Sequence, residues 1–389
     1  MSVSTRTMKP LSVELKLRAS KLDVRAQFRV APGRVCALVG RPGSGKSGLL
    51  KAIAGLIPAL GGRVALGADA LYDSAARINL PAHQRRLAWL DGHGHLIPHL
   101  TVRQNLLFGA RSGGRTSTHV GALAVAPDDI VNWHDLGAVL GRRPDQLPPA
   151  ERFKLGLGRA LLSSAEGLLL NDPLALVPEQ EHDALLDLLA ESAARFRLPM
   201  VLVSPRMHDV VRLADEVVIL HEGRVASAGP TAQILSDVSL STFLEGLHAG
   251  SVLEGEVKRH DIEWLLSEVD LGGQRVSVPA MLHPVGTKVR LKLRARDVSL
   301  HRDIPIDTSS SNHLRGRITQ IMLAGEHGVY GAVGIELDRS VDPLNPQVLP
   351  GLPLWGLLTR KSIQQMGWAP GQPCVVGFKA MALTVSTWR

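Results

Sequence analysis

Gly40-Arg41-Pro42-Gly43-Ser44-Gly45-Lys46-Ser47 has the residue types and spacing of a loop that wraps phosphate, G-x-x-x-x-G-K-S. Its glycines let consecutive backbone N–H groups turn inward around the α- and β-phosphates of a nucleotide. Lys46 reaches the β- and γ-phosphates, and the Ser47 hydroxyl can ligate Mg²⁺. Gly48 completes the set expected to touch the nucleotide. Such a loop has to be carried between a strand and a helix. Val35-Cys36-Ala37-Leu38-Val39 before it is an unbroken apolar run of the kind a buried parallel strand shows, and Gly48 to Leu56 after it recurs apolar at helical spacing. Residues 11–34 alternate polar and apolar (Leu11, Val13, Leu15, Leu17, then Leu22, Val24) and end in Ala31-Pro32-Gly33, an antiparallel hairpin feeding that strand. The chain is expected to bind a nucleoside triphosphate with Mg²⁺.

Composition narrows the classes that remain. A chain of 389 residues has room for two or three domains, each with its own core. Aromatics at 4% beside 38 glycines suit an α/β protein with many tight turns. Cys36 and Cys374 lie far apart with no C-x-x-C, so neither a disulfide nor a zinc site is expected. No apolar run approaches the roughly 20 residues of a membrane span, and Met1 to Pro10 lacks an apolar signal segment. A cytosolic location is expected, with any membrane role exercised through partners. The net charge of +8 is spread over dispersed Lys and Arg with few aromatics, which argues against nucleic acid.

Beyond the first helix, Gly61-Gly62 opens a short β segment and Arg85 to Leu90 reads as another core strand. Thr101, after a Pro-containing loop, is expected to cap a helix. From about residue 95 to 165 the pattern is helical and loop-rich, with a flexible patch expected at Ser112 to His119: an inserted helical subdomain. Residues 231–250 read as a helical tail ending in glycine. From Gly255 onward short alternating segments separated by Gly, Pro and Asp predict an all-β domain of barrel type, with the boundary near Gly250.

Several stretches resemble the ATPase subunits of ABC transporters: PHLTVRQNL, GRALLSS at Gly158 to Ser164, Leu168-Leu169-Leu170 before Asn171-Asp172-Pro173-Leu174, and RLADEVVILHEGRVASAGP at Arg212 to Pro230, all at fitting distances from Lys46. In the C-terminal third, RARDVSLHRD, SSSNHLRGRI and LLTRKSIQQMGWAPGQPCVVGFKAMALTV resemble the molybdate-binding (Mop/TOBE-like) domain attached to the ATPase subunit of molybdate importers. The resemblance spans nearly the whole chain, and its C-terminal motifs discriminate best.

Departures from the family pattern cluster in the hydrolytic set. Where the family has L-S-G-G, whose hydroxyl and amides clamp a γ-phosphate held on the other subunit, this chain reads Leu147-Pro148-Pro149-Ala150. Two prolines remove two amide donors. A gapless count from Gly158 places Asn171 at the Mg²⁺-supporting Asp and Asp172 at the catalytic Glu; Asn carries no charge, and Asp reaches less far towards the attacking water. The switch histidine is replaced by Pro205, the Mg²⁺-touching Gln by Gly92 beside Asp91, and the Asp after the second core motif by Pro178. Nucleotide binding with slow or absent turnover is expected, so whether the chain is an efficient ATP hydrolase stays open. Because family members pair head to tail, each site combining one subunit's phosphate loop with the other's signature, in a homodimer both sites would be defective, and with an intact partner neither site would be whole.

His93, His95 and His99 have no carboxylate or thiol partner at metal-ligand spacing and read as loop residues, His208 and His221 as surface residues, and Glu151, Arg152, Arg212 and Asp215 as helix-face charges. In the C-terminal domain, Asp307 to Asn312 (DTSSSN) is the expected oxyanion loop. Ser309, Ser310 and Asn312 supply hydroxyl and amide donors suited to a tetrahedral dianion, and Lys379 sits where the family has a strand-borne lysine. A polar turn with a solvated lysine is the alternative. Ser311 stands where related modules carry a more basic residue. Thr359 and Ser362 are further candidates, or simply a helix start.

The expected architecture is an α/β P-loop NTPase, a RecA-like core with an inserted helical subdomain, over residues 1–250, followed by an all-β Mop/OB-like barrel over 251–389. The resemblance implies an ATP-binding subunit of an ABC importer for molybdate, using ATP and Mg²⁺. Its partners would be permease membrane subunits, a second ATPase subunit and, indirectly, a periplasmic binding protein, at the cytoplasmic face of the inner membrane. An importer subunit for sulfate or tungstate, and a non-hydrolysing ATP- and oxyanion-binding regulatory or storage protein, are the alternatives.

Overall fold

The computed structural model describes residues 9–19, 21–112, 118–120, 123–240, 250–281, 283–323, 329–339 and 351–387. The chain divides into two compact units, Met1–Ala228 and Gly229–Arg389.

In the first unit, β1 (Leu11–Ala19) and β2 (Leu22–Val30) form the expected hairpin in unbroken register from Leu11 opposite Val30 to Ala19 opposite Leu22. Its alternation has a physical cause: Leu11, Val13, Leu15 and Leu17 are buried while Glu14, Lys16 and Arg18 face water. There follow β3 (Val35–Val39), α1 (Lys46–Ala54), β4 (Gly61–Leu66), β5 (Asp69–Asp73), β6 (Ile78–Asn79) and β7 (Leu87–Asp91). Next come α2 (Val102–Ser112), β8 (Thr118–Val120), β9 (Leu123–Val125), α3 (Pro127–Trp133) and α4 (Pro149–Leu162). The last elements are β10 (Gly167–Asn171), α5 (His182–Phe196), β11 (Met200–Val203), α6 (Met207–Leu213), β12 (Glu216–His221) and β13 (Arg224–Pro230). Among the described residues eleven strands make one sheet, ordered β6-β5-β4-β1-β2-β13-β12-β3-β11-β10-β7. From β12 to β7 the strands run parallel. That arrangement explains why β3, β10 and β11 read as continuous apolar runs: both faces are covered. Leu49, Leu50 and Ile53 of α1 join Leu15 and Leu17 of β1 and Leu169, Val201 and Val218 of the parallel strands in one core.

Local differences from expectation have identifiable reasons. The core strand starts at Leu87, two residues late, because Arg85 is buried and caps the end of α1, its Nη1 donating to the carbonyls of Ala52 and Ile53 at 2.9 and 2.8 Å. Thr101 does cap α2: its Oγ1 accepts from the Gln104 N–H, and Gln104 Oε1 accepts from the Thr101 N–H. Of the patch at Ser112 to His119, residues 113–117 lie outside the described residues, while Thr118–Val120 pairs with Leu123–Val125 as a small hairpin. Of the expected helical tail, α7 (Thr231–Ser236) and a 3₁₀ turn at Val238–Leu240 are described, and 241–249 lie outside the described residues. The division into compact units falls at Ala228/Gly229, and within the second unit Ser236 of α7 accepts the Val252 N–H and donates to the Val252 carbonyl.

In the second unit the described strands are β14 (Gly250–Asp261), β15 (Leu266–Asp270), β16 (Arg275–Pro279), β17 (Lys288–Arg294), β18 (Ser299–His301), β19 (Asn312–Leu323), β20 (Tyr330–Leu337), β21 (Leu352–Thr359), β22 (Pro373–Phe378) and β23 (Leu383–Thr387), with α8 (Arg360–Met366) after β21. They form two five-stranded sheets, β16-β15-β14-β17-β23 and β18-β22-β19-β20-β21, lining one core that includes Val257, Leu291, Leu314, Val333 and Val376. The unit is β-rich as expected, but these are two sheets sharing a core, and each borrows a strand from the other half of the sequence: β23 pairs with β17, and β18 with β22. Side chains latch the sheets reciprocally. Asn312 of β19 bonds the backbone of Ser277 in β16, and Ser251 of β14 accepts the Trp355 N–H of β21.

Candidate functional site

The phosphate loop leaves the carboxyl end of β3 and enters α1, as its flanking sequence requires. Gly40, Gly43 and Gly45 all hold positive φ, at 147°, 81° and 100°. Two of them are obligatory on space as well: a Cβ on Gly40 would lie 2.1 Å from the Leu220 carbonyl oxygen, and one on Gly45 would lie 2.5 Å from a Val24 methyl. Lys46 Nζ donates to the Gly40 and Arg41 carbonyls at 2.6 and 2.9 Å and lies 3.3 Å from Ser44 Oγ, so the cation is folded over the loop that it would share with phosphate. Arg41, Pro42, Gly43 and Ser47 are exposed, Gly48 is half-buried and Ser44 is buried.

Strand register brings the second cluster beside it. Val203 of β11 lies opposite Asn171 of β10, and Asn171 opposite Asp91 of β7, so all three strands end together. Asn171 Oδ1 is buried and has no partner among the described residues. That orphaned oxygen and the exposed Ser47 hydroxyl are hard donors of the kind a hydrated Mg²⁺ takes, so the residues present fit the ion with one protein charge fewer than an Asp would bring. Asp172 sits in the left-handed region (φ 47°), its N–H on the Val203 carbonyl. Burial pushes its carboxyl above the ordinary value and Asp209 adds to the rise, while Arg206 opposes both.

Asp91 is already occupied. Its carboxylate accepts from Trp89 Nε1 at 3.1 Å, His95 Nε2 at 2.7 Å and the His93 N–H at 3.0 Å. Burial would raise its pKa, but these hydrogen bonds and the His95 charge outweigh burial and hold it below the usual carboxylate range. His95 is thus a carboxylate partner and not a bystander. Gly92 projects no side chain, and a Cβ there would sit 3.1 Å from that of Ala175.

The segment Leu147 to Ala150 keeps its helix and loses its donors. Pro149 is the first residue of α4, where a proline's fixed φ is tolerated, but neither it nor Pro148 offers an N–H. Asp215, expected on a helix face, lies beyond α6 and pins the start of β3, accepting from the Val35 N–H and Arg34 Nη1. Arg212 is half-buried and makes a bidentate bond to Asp187 of α5, and Glu151 Oε2 is buried. Arg152 is half-buried, and His208 Nε2 meets Asp183 at 2.8 Å.

Motif reading missed three groups. Arg206 Nη2 lies 3.3 Å from Asp172 Oδ1, and its Nε 3.1 Å from the buried Asp209, which also receives the Ser204 hydroxyl. The signal was an arginine beside Pro205 with an acid three residues on. Asn105, inside VRQNL, bonds Ile97, Leu100 and Thr101 and shapes the loop before α2. Arg159 anchors the same loop nearer β7.

In the second unit, Asn312 pairs with Phe378, so Ser311 and Lys379 are the next residues outward along β19 and β22. Ser309 and Lys379 are exposed and Ser310 is half-buried. Asn312 departs from expectation: it is 2% exposed, with Oδ1 accepting from the Ser277 N–H at 2.7 Å and Nδ2 donating to the Ser277 carbonyl at 2.9 Å. Its amide is a sheet latch, which leaves the serines and Lys379 as the donors at that edge. Thr359 is the N-cap of α8 and accepts the Ser362 N–H. Cys36 and Cys374 are buried free thiols, both pushed up chiefly by burial, Cys374 to about 11.

A family model described as ABC transporter matches residues 24–175. The molybdenum import ATP-binding protein ModC of Rhodospirillum rubrum is 34% identical over 373 residues, covering 96% of this chain and 97% of that protein. The ModC of Methylococcus capsulatus is 35% identical over 374 residues, covering 93% and 99%. A solved metal-chelate type ABC transporter in an inward-facing conformation shares the fold, with a TM-score of 0.50 at 18% identity over 71% of this chain and 99% of that one. A phosphate loop on β3, a parallel sheet ending in Asn171-Asp172, and relatives aligned from end to end place this chain in the molybdenum import ATP-binding family of ABC transporters.

Proposed function

We propose that this chain is the ATP-binding subunit of an ABC importer for molybdate or a related oxyanion, energising transport through ATP-driven closure of paired subunits. The observation that carries it is the sterically enforced phosphate loop, in a chain aligned with its relatives over 96% of its length. In this reading residues 1–250 are the ATP-binding domain, with the helical subdomain at about 95–165, and 251–389 are a Mop/TOBE-like oxyanion-binding domain. Gly40 to Gly48 hold the phosphates. Ser47 and Asn171 hold Mg²⁺, which supplies neutralisation of the β- and γ-oxygens when bound. Ser309, Ser310 and Lys379 take the oxyanion. The partners are permease membrane subunits, a second ATPase subunit and, indirectly, a periplasmic binding protein, and the location is peripheral, on the cytoplasmic face of the inner membrane. Among the described residues no helix is long and apolar enough to cross a membrane.

Hydrolysis in this reading is slow. Asp172 is short and paired to Arg206, Asn171 is uncharged, Pro205 offers no imidazole, and Pro148-Pro149 removes donors from the clamp owed to the partner subunit. The experiment is molybdate accumulation by cells lacking the gene, at limiting external molybdate. Wild type should restore uptake and Lys46→Ala should not; restoration by both would remove ATP binding from the function.

A further inference from the structure

Arg206 follows β11, the strand next to the one that carries the phosphate loop, although no motif includes it. Strands β3, β11 and β10 are successive parallel neighbours, with Ala37 opposite Leu202 and Asn171 opposite Val203. The loops leaving their carboxyl ends therefore emerge side by side: the phosphate loop after Val39, Ser204-Pro205-Arg206 after Val203, and Asp172 after Asn171.

The arginine is fixed at one end and presented at the other. Its Nε lies 3.1 Å from Oδ2 of Asp209, a carboxylate only 1% exposed that also accepts the Ser204 hydroxyl at 2.7 Å. The Ser204 oxygen in turn accepts the Arg206 N–H at 3.1 Å. The outer nitrogen, Nη2, lies 3.3 Å from Asp172 Oδ1, and these two side chains are 30% and 31% exposed. A guanidinium held this way has lost most of its rotamer freedom in advance, and its planar donor fork matches phosphate as well as carboxylate.

Charge decides what it would read. ATP differs from ADP by one phosphoryl group, whose added negative charge lies beyond the β-phosphate. On this side of the site Pro205 offers no cation and Asn171 no anion, while Asp172 is the group paired with the outer nitrogen of Arg206. We propose that Arg206 is the residue that discriminates triphosphate from diphosphate: the terminal phosphoryl group draws Nη2 from Asp172 onto its own oxygens while Nε stays on Asp209. This rests on the ATP-binding reading above. It also gives Asp172 two settings, paired with Arg206 and released when a triphosphate is bound.

The test is calorimetric titration of the full chain with ADP and with the β,γ-imido analogue of ATP, both with Mg²⁺. Arg206→Gln should weaken the analogue about tenfold and leave ADP within about twofold, and Arg206→Lys should fall between. Equal losses for both nucleotides, or no loss for either, would overturn the proposal, because a merely structural arginine does not change their ratio. If Arg206→Gln does not fold, Asp172→Asn serves instead. By removing the competing carboxylate it should tighten the analogue more than ADP, and an unchanged ratio counts against Arg206. Wild type that binds neither nucleotide sinks the ATP-binding reading and this proposal together, whereas wild type that binds both with a ratio insensitive to these variants sinks only the role of Arg206.

Discussion

Arg159 Nη2, on α4, donates to the backbone carbonyls of Gly94 and His95 in the loop after β7. This ties the loop following Asp91 to the helix that begins at the degenerate signature, so movement of one is passed to the other. Arg159→Ala removes a charge-assisted donor from two carbonyls and should cost about 2 kcal/mol. Urea unfolding should show the midpoint lowered, with Arg159→Lys recovering part of the loss. An unchanged midpoint would mean that water replaces the guanidinium without penalty.

Lys46 is the cation folded over the phosphate loop, so Lys46→Ala should weaken ATP binding at least tenfold, about 1.4 kcal/mol. Titration calorimetry measures it directly. Equal affinity in wild type and variant would contradict the phosphate role of this lysine.

The purified chain should hydrolyse ATP slower than a relative with the full motif set by a factor of about 10² or more. Asn171→Asp, Asp172→Glu and Pro205→His together should recover some rate, limited still by Pro148 and Pro149. Wild-type turnover of order 1 s⁻¹, within the usual enzyme range, would show these substitutions to be tolerated.

His134 gives the first unit a pH dependence. It is 1% exposed, its Nδ1–H donates to the Lys154 carbonyl at 2.8 Å, and Nε2 is buried with no partner among the described residues. Burial first, and the Lys154 charge with it, hold its pKa down to about 4 against that backbone hydrogen bond. The unfolded chain takes up the proton below about 6.5 and the folded chain only below about 4, so stability is full above that window. It falls as pH drops through it, by up to about 3 kcal/mol. His134→Gln should flatten the Tm-against-pH curve between those limits; an unaltered slope would assign the loss to other groups.

Molybdate binding to the full chain should weaken in Lys379→Ala, since the β19–β22 register sets this lysine beside Ser311 at the end of the serine loop. Equilibrium dialysis should also show sulfate, smaller and of equal charge, binding less well. No binding of molybdate or tungstate at millimolar concentration would reduce the second unit to a structural appendage. Ser277, whose backbone is latched to Asn312, offers a control: Asn312→Ala should lower stability by about 1 to 3 kcal/mol through two unsatisfied backbone groups.

Local chemistry alone determined the phosphate loop, the hairpin before it, the Thr101 cap and the change to short alternating strands after residue 250, because each depends on spacing within one segment. The same holds for the missing charge at Asn171, the missing imidazole at Pro205 and the missing amide donors at Pro148-Pro149, which are properties of residue type. Only the tertiary structure decided which strands end side by side. Parallel register across β3, β11 and β10 gathers residues from positions 40, 172 and 206, and no periodicity in the chain encodes that order. Asn312, Asp215 and Arg85 show the same limit from the other side. Each is a polar residue of the type that serves a site, yet each is consumed by a backbone partner at least 30 residues away in sequence, Ser277, Val35 and Ala52. A buried polar group must find a partner, and which partner stands within 3 Å is settled by packing.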